Sequence, residues 1–189
     1  MPRGMTINRI LNDNLSIKNT HLKSMINYFV AHRLCKQQVN EVEFLCKCIQ
    51  KLVPGSQVLE IGRKYGGGML CMSKANPNIR VFSLDITDKH RVLTRKLAKL
   101  YGVRRKGFKM LTGDSREYEW VNGPIHFLFI DGWQIESDLV RFPPLVEKGG
   151  MVMINGYRPW KKYVDAWANK NKEFRFRKVV RDNILFSKK

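Results

Sequence analysis

The sequence predicts an α/β protein with a doubly wound, mostly parallel β-sheet that ends in an antiparallel hairpin. Short apolar segments alternate with segments whose apolar residues recur at helical spacing, which is typical of strands joined by helices. The segment His126–Ile130 is almost entirely apolar, as expected of a central parallel strand buried on both faces. Two later segments, Phe174–Val180 and Ile184–Ser187, flank a turn at Asp182-Asn183 and predict the closing hairpin.

The composition indicates a folded protein with a polyanionic partner. The chain has 189 residues, of which 43% are hydrophobic, enough for one domain with a substantial core. This excludes a disordered chain and a disulfide-stapled miniprotein. Lys and Arg number 35 against 16 Asp and Glu, giving a formal net charge of +19. The surplus favours nucleic acid first and an anionic membrane second, and a basic protein without such a partner is the remaining alternative.

The cysteines and the N-terminus predict the compartment. Cys35, Cys46, Cys48 and Cys71 include no Cys-x-x-Cys pair and no zinc-type spacing, so we expect reduced core residues. The N-terminus has no apolar segment of signal-peptide length. No apolar stretch reaches the roughly 18 residues that predict a membrane span. The sequence therefore predicts a cytoplasmic protein without a membrane span.

The pattern of predicted elements divides the chain into two regions, a helical region at 1–53 and an α/β region at 54–189. Residues 1–15 predict a loose arm, and a helix is predicted from Ser16 onward. A second helix is predicted near Asn40, which would be its N-cap with Glu43 three residues later. These helices would cover a sheet edge, form a lid over a pocket, or bind a protein partner.

The strands and helices of residues 54–189 alternate in a regular order. The predicted strands are Gln57–Gly62, Ile79–Leu84, Phe108–Leu111, His126–Ile130 and Met151–Ile154. The predicted helices are Met69–Ala75, Asp88–Tyr101, a segment around Leu139 that ends at Pro143-Pro144, and Trp160–Asn169.

Residues that follow the strands are the candidates for a binding site, because ligands of open parallel sheets bind beyond the carboxyl ends of the strands. A loop with three glycines, Gly66–Gly68, follows the first strand and would let a ligand approach the backbone. Asp85 ends the second strand, where a carboxylate can accept hydrogen bonds from ribose hydroxyls. The loop is neither Gly-x-Gly-x-x-Gly nor a P-loop, so a nucleoside ligand without a phosphate chain is favoured.

The segment Val58–Ile86, VLEIGRKYGGGMLCMSKANPNIRVFSLDI, resembles the first two motifs of class I S-adenosylmethionine-dependent methyltransferases. It is most similar to a branch of this family that has a Glu-Ile-Gly-x-x-x-Gly-Gly-Ser/Thr loop. The segment Phe129–Tyr157, FIDGWQIESDLVRFPPLVEKGGMVMINGY, is similar to the Ile-Asp-Gly-Asp-His block of that branch. The resemblance extends from Val58 to the C-terminus and implies a Rossmann-like fold with a seven-stranded sheet, a catalytic domain at 54–189 and S-adenosylmethionine as cofactor.

Site residues carry over position by position from this resemblance. It implies that Glu60, Gly62 and Gly66 shape the methionine end of the cofactor pocket and that Asp85 holds the ribose. It further implies that Asp114 and Ser115 contact the adenine and that Asp131 lies beside the sulfonium and faces the acceptor. With Asp131, Asn155 would position or deprotonate the acceptor. Independently of the resemblance, Trp133 and Trp160 come just after strand ends, where their rings would stack on a substrate near the mouth of the pocket. The other candidate substrate-binding residues are Tyr157, Lys161 and Lys162.

Two departures from the family bear on metal binding. Trp133 stands where the branch has Asp, and Asn155-Gly156 stands where it has His-Asp. One carboxylate and one amide make a poor Mg²⁺ site, because this ion takes several oxygen ligands. We therefore expect a metal-independent enzyme. The glycine at position 68, where Ser or Thr is usual, would loosen the contacts to the cofactor.

Basic residues concentrate in two segments. Nine lie between Lys89 and Lys109 without an acid, and nine more lie between Arg158 and Arg181 among aromatic residues. Lysines and arginines beside aromatic side chains suit single-stranded nucleic acid. The sequence thus predicts a methyltransferase acting on nucleic acid, with RNA favoured over DNA. A small-molecule O- or N-methyltransferase and a catalytically silent module that binds nucleic acid or a protein partner are the alternatives.

Overall fold

A computed structural model describes residues 22–189. The predicted arm at 1–15 and the predicted beginning of the first helix at Ser16 lie outside these residues. The helices are α1 (Leu22–Ala31), α2 (Val39–Ile49), α3 (Gly67–Ala75), α4 (Arg91–Leu100), α5 (Ile135–Arg141) and α6 (Tyr157–Lys170). The strands are β1 (Gln57–Ile61), β2 (Arg80–Asp85), β3 (Phe108–Thr112), β4 (Ile125–Ile130), β5 (Val146–Ile154), β6 (Phe174–Val180) and β7 (Asn183–Lys188).

The seven strands form one sheet in the order β3-β2-β1-β4-β5-β7-β6. Strands β1 to β5 are parallel, whereas β7 is antiparallel to both β5 and β6. This confirms the predicted α/β sheet with a C-terminal hairpin. The strand order reverses direction between β1 and β4, and the crevice at such a switch point is where ligands of these sheets bind.

Helices cover both faces of the sheet, which makes the fold doubly wound. On one face, α1 to α4 contribute buried side chains such as Phe29, Leu45 and Leu97. On the other face, α5 and α6 contribute Leu139 and Trp167. The parallel strands are buried between these layers, because apolar side chains on both faces of each strand need a covering layer.

The helices α1 and α2 share the core of the α/β region. Phe29 of α1 packs edge-on against Tyr101, with ring centroids 5.0 Å apart. Glu41 of α2 accepts a hydrogen bond from the backbone N–H of Asp182, in the turn between β6 and β7, at 2.9 Å. The beginning of α2 is therefore fixed to the opposite end of the chain.

Several predicted boundaries differ from the structure. The N-cap of α2 is Gln38 rather than Asn40, and Glu41 rather than Glu43 closes the capping box by accepting from the Gln38 backbone N–H at 2.7 Å. The extended backbone of Gln38 explains the shift, since helical geometry begins only after it. Strand β5 starts at residue 146 and the basic helix at residue 91.

The turn of the closing hairpin connects β6 to β7. The turn residues are Arg181 and Asp182, because Val180 pairs with Asn183 and Arg181 has a φ of +53°. The turn lies one residue earlier than predicted.

Within residues 22–189, no helix is long and apolar enough to cross a bilayer.

Candidate active site at the carboxyl ends of the strands

A cavity of about 460 Å³ opens at the switch point of the sheet. Its walls come from the segments that follow β1, β2, β3 and β4, and from residues 34–37 between α1 and α2. The volume is within the range of pockets that bind small molecules and cofactors. The site therefore lies where the topology predicts it, with an additional wall from the N-terminal region.

The glycine loop brings backbone close to backbone at Gly62. This residue has a φ of +98°, and a Cβ there would lie 2.6 Å from the carbonyl oxygen of Asp131. Only glycine fits this position without a shift. Gly66 faces the Thr94 side chain of α4 and is not among the residues that line the cavity.

Asp85 is held rigidly at the edge of the cavity. One carboxylate oxygen accepts from the backbone N–H of Lys64 at 2.8 Å, and the other accepts from that of Thr87 at 3.0 Å. Lys64 adopts a φ of +48°, a conformation uncommon for a residue with a side chain. Each oxygen keeps a second lone pair for a ligand.

Buried Arg63 fixes the loops around Asp85. Its guanidinium donates to the carbonyl oxygens of Ser83, Leu111 and Thr87 at 2.7 to 2.8 Å. It therefore ties the first loop to the ends of β2 and β3. The sequence prediction missed Arg63, and the signal that could have found it was a charged residue inside a glycine loop, where a buried partner for backbone carbonyls is needed.

Glu60 is a buried carboxyl beneath the cavity. It is 1% exposed and accepts a hydrogen bond from the Ser83 hydroxyl. Burial raises the pKa of Glu60 to about 8, although the Ser83 hydrogen bond acts in the opposite direction. A Cβ on Gly68 would lie 2.4 Å from Glu60 Oε1, so the glycine at position 68 leaves room for this carboxyl.

The raised pKa of Glu60 predicts a pH-dependent stability. The folded protein keeps the proton of Glu60 up to about pH 8, whereas the unfolded chain loses it near pH 4.5. Between these values Glu60 binds more protons in the folded state, so it contributes a fall of about 1.4 kcal/mol per pH unit to the free energy of unfolding as the pH rises. Urea denaturation at a series of pH values should give a wild-type slope that is steeper than that of Glu60→Gln by this amount, because other carboxyls of raised pKa, such as Asp131, add their own slopes to both proteins. Equal slopes in both proteins would contradict it.

Asp114, Ser115 and Asp138 form the wall that follows β3 and β4. Asp114 is paired with Arg116 at 2.5 Å, and the side-chain and backbone hydrogen bonds from Arg116 lower the pKa of Asp114 to about 2. Asp138 of α5 is fully buried beside the Ser115 hydroxyl, and within residues 22–189 no hydrogen bond of standard geometry reaches its carboxyl oxygens. Burial raises the pKa of Asp138 to about 6, while the nearby Ser115 hydroxyl acts in the opposite direction.

Asp131 lies at the end of β4, opposite Asp85 across the glycine loop. Its Oδ2 accepts a hydrogen bond from Gln37 Nε2 at 2.5 Å. Burial raises the pKa of Asp131 to about 7, whereas the Gln37 hydrogen bond and the charges of Lys36 and Lys64 lower it. Sequence reasoning missed Gln37, and no local signal marked it, because the residue reaches the site through the packing of α2.

The mouth of the cavity combines an exposed indole with cations. Trp133 is 75% exposed, and Lys36 Nζ lies 4.5 Å from the centroid of its ring. Burial lowers the pKa of Lys64, the positive charges of Lys36 and Arg33 add to this effect, and Asp131 opposes it. The mouth of the cavity therefore has three neighbouring cations, Arg33, Lys36 and Lys64, near the Asp131 carboxyl with its raised pKa.

Besides Gly66, five predicted site residues lie outside the set that lines the cavity. Asn155 donates to Asn183 Oδ1 at 2.7 Å, which places it in the contacts of the hairpin. Along α6, the Tyr157 hydroxyl donates to Asp165 at 3.0 Å, and Lys161 pairs with the same carboxylate. The Trp160 ring lies 6.0 Å from that of Tyr163, and Lys162 is exposed.

Comparison with solved structures identifies the fold. An O-methyltransferase from Bacillus cereus in complex with S-adenosylhomocysteine (SAH) matches with a TM-score of 0.67 and 16% identity, covering 97% of each chain. An SAH-bound methyltransferase from Podospora anserina gives 0.65 and 15%, covering 100% of this chain and 99% of that one. An rRNA methylase from Streptococcus thermophilus gives 0.62 and 13%, covering 82% of this chain and 98% of that one.

These similarities define the class of the fold. The chain has the Rossmann-like fold of class I S-adenosylmethionine-dependent methyltransferases, as the motifs predicted. No protein-family model and no curated protein sequence matches the chain. At these identities the likeness concerns the fold, so the activity must be argued from the site itself.

Proposed function

We propose that the protein is an S-adenosylmethionine-dependent methyltransferase that acts on RNA without a metal ion. The observation that carries the proposal is the Asp85 carboxylate, fixed by two backbone N–H groups at the rim of a cavity at the sheet's switch point. A rigid acceptor at this position suits the vicinal hydroxyls of a ribose. Two of the matched methyltransferases are described with bound SAH, which supports the same ligand here.

The residues around the cavity fit this cofactor. Gly62 allows the glycine loop to approach the Asp131 backbone closely beside the methionine end, where a side chain would collide with that backbone. At the other end, Asp138 is a buried carboxyl next to the Ser115 hydroxyl, and its two oxygens have acceptor capacity left for a ligand. Such a group favours a ligand that can donate to it, and the exocyclic amino group of adenine is such a donor. Ser115 and Asp114 would complete that wall.

Bound S-adenosylmethionine supplies an electrophilic methyl group on a sulfonium. Asp131 would attract the sulfonium charge and orient the acceptor, because it lines the same cavity as Gly62 and as Trp133 of the mouth. With a pKa of about 7, it can also accept the acceptor's proton near neutral pH. Asn155 contacts Asn183 outside the cavity, so we assign the chemistry to Asp131 and give Asn155 a positioning role through the hairpin.

The mouth and the overall charge support RNA as the acceptor. Trp133 offers an exposed ring for stacking of a base, and Arg33, Lys36 and Lys64 offer positive charge for the neighbouring phosphates. The net charge of +19 points in the same direction. One matched structure is described as an rRNA methylase. A small molecule is the second candidate acceptor, favoured by the likeness to an O-methyltransferase over 97% of both chains.

Two measurements on the purified protein test this proposal. Calorimetric titration with S-adenosylmethionine and SAH should give dissociation constants of about 1 μM, which corresponds to a binding free energy of roughly −8 kcal/mol. Incubation with radiolabelled S-adenosylmethionine should then transfer label to total RNA and not to DNA. Absence of cofactor binding would overturn the enzyme proposal, and label found only in small molecules of a cell extract would overturn RNA as the acceptor.

A further inference from the structure

A second cleft lies at the edge of the sheet, away from the active site. It has a volume of about 300 Å³ and is formed by the first half of β2, the beginning of β3, the short turn at 105–107 and Asn122. Phe82 and Lys109 are register partners in adjacent strands, so both side chains point to the same face of the sheet. Arg80, two residues before Phe82, shares that face.

Four cationic side chains converge on this cleft, and no acidic residue lines it. The four are Arg80, Arg105, Lys106 and Lys109. All are exposed, and none forms a side-chain hydrogen bond or ion pair with any residue in the described part of the chain. Some cations elsewhere in the described residues are paired with carboxylates, as Arg91 is with Asp88 and Arg116 with Asp114. Four unpaired cations around one concavity repel each other, so the cleft favours an anion.

The position of the cleft suggests a ligand that is longer than one nucleotide. Arg80 begins β2 and Asp85 ends it, so the cleft and the methyl-transfer cavity are separated by about 17 Å at about 3.3 Å per residue. A flexible polyanion could therefore contact the cleft and the cavity at once.

We propose that this cleft binds the phosphodiester backbone of a single-stranded RNA at a distance from the methylated nucleotide. The inference rests on the proposed function, since it assigns a second contact to the same substrate. Phe82 forms an apolar floor, and the cations stand around it, which suits a strand with alternating phosphates and bases. A membrane fits the cleft less well than RNA, because a bilayer presents a broad surface and its headgroups would not reach cations inside a concave cleft.

The test measures RNA binding by fluorescence anisotropy with a labelled single-stranded RNA of about 20 nucleotides. The cleft variant carries Arg80→Gln, Arg105→Gln, Lys106→Gln and Lys109→Gln. A control variant loses the same charge from exposed lysines elsewhere, through Lys23→Gln, Lys47→Gln, Lys148→Gln and Lys172→Gln. We expect the cleft variant to bind about tenfold or more weakly at about 0.15 M salt. Its log–log salt slope should decrease by up to about 3, because each lost phosphate contact is worth about 0.7.

The control variant should lose much less affinity. Equal losses in both variants would show that diffuse charge and not the cleft binds RNA, and would overturn the inference, as would unchanged affinity in the cleft variant. A cleft variant that keeps RNA binding but loses binding to phosphatidylserine vesicles would assign the cleft to a membrane instead. Titration with S-adenosylmethionine separates the two proposals, because the cleft variant should bind the cofactor as the wild type does. If neither protein binds it, the proposed function fails while the RNA result still decides the cleft.

Discussion

Replacing Asp85 with alanine is expected to weaken S-adenosylmethionine binding by about 100-fold or more. The ribose hydroxyls would lose two hydrogen bonds to a charged acceptor, each worth about 1.5 to 3 kcal/mol. The loss has a second source, because Asp85 also accepts the backbone N–H groups of Lys64 and Thr87 and so shapes the loop that lines the cavity. Calorimetric titration of both proteins measures the effect.

A matched control removes an aspartate that does not line the cavity. Asp165 of α6 pairs with Lys161 and Tyr157, outside the residues that form the cavity. Asp165→Ala should therefore bind the cofactor with wild-type affinity. Wild-type affinity in Asp85→Ala would show that the ligand of the cavity is held elsewhere. Equal losses in both variants would indicate a global defect, which thermal unfolding of each protein would reveal.

The position of Asp85 could be predicted from the sequence because the fold determines it. Asp85 ends a buried apolar strand that comes after the glycine-rich loop in the sequence. The end of such a strand lies at the carboxyl edge of a parallel sheet, and Asp85 does line the cavity there. Asp114 and Asp131 follow from the same logic, whereas Glu60, Gly62 and Ser115 came from the resemblance to the methyltransferase motifs, and all five line the cavity. Their contacts do not follow from it, because the Arg116 partner of Asp114 depends on the conformation of a loop.

The wall supplied by the N-terminal region could not be predicted in this way. Gln37 reaches Asp131 across 94 positions of sequence, and no periodic pattern encodes such a contact. It depends on how α2 is anchored, since Glu41 binds the turn between β6 and β7 while Gln37 faces the cavity. Asn155 shows the converse, because a residue at the end of β5 is drawn into the hairpin by Asn183. Long-range packing decided both positions.

Replacing Asp131 with asparagine is expected to lower kcat for methyl transfer by about 10²- to 10⁴-fold, the usual contribution of a positioned general base. Only the ionised carboxylate can accept a proton. In the wild type, activity should therefore rise with pH and level off above a midpoint near 7, the pKa to which burial raises Asp131. The residual activity of Asp131→Asn should lack this midpoint. A rate that stays at the wild-type level would show that Asp131 is not the base.

The Gln37 contact allows the same assignment to be tested without removing the carboxylate. Gln37 Nε2 donates to Asp131 and so favours the ionised form. Gln37→Leu should raise the midpoint of the pH profile by about 1 to 2 units, because a hydrogen bond to a charged group is worth about 1.5 to 3 kcal/mol and one pKa unit about 1.4 kcal/mol. The control Gln50→Leu, at the exposed end of α2, should leave the midpoint in place. If Gln37 only supported the fold, its loss would lower the rate equally at every pH, whereas a shifted midpoint requires that Asp131 carries the titration and that the N-terminal region tunes it.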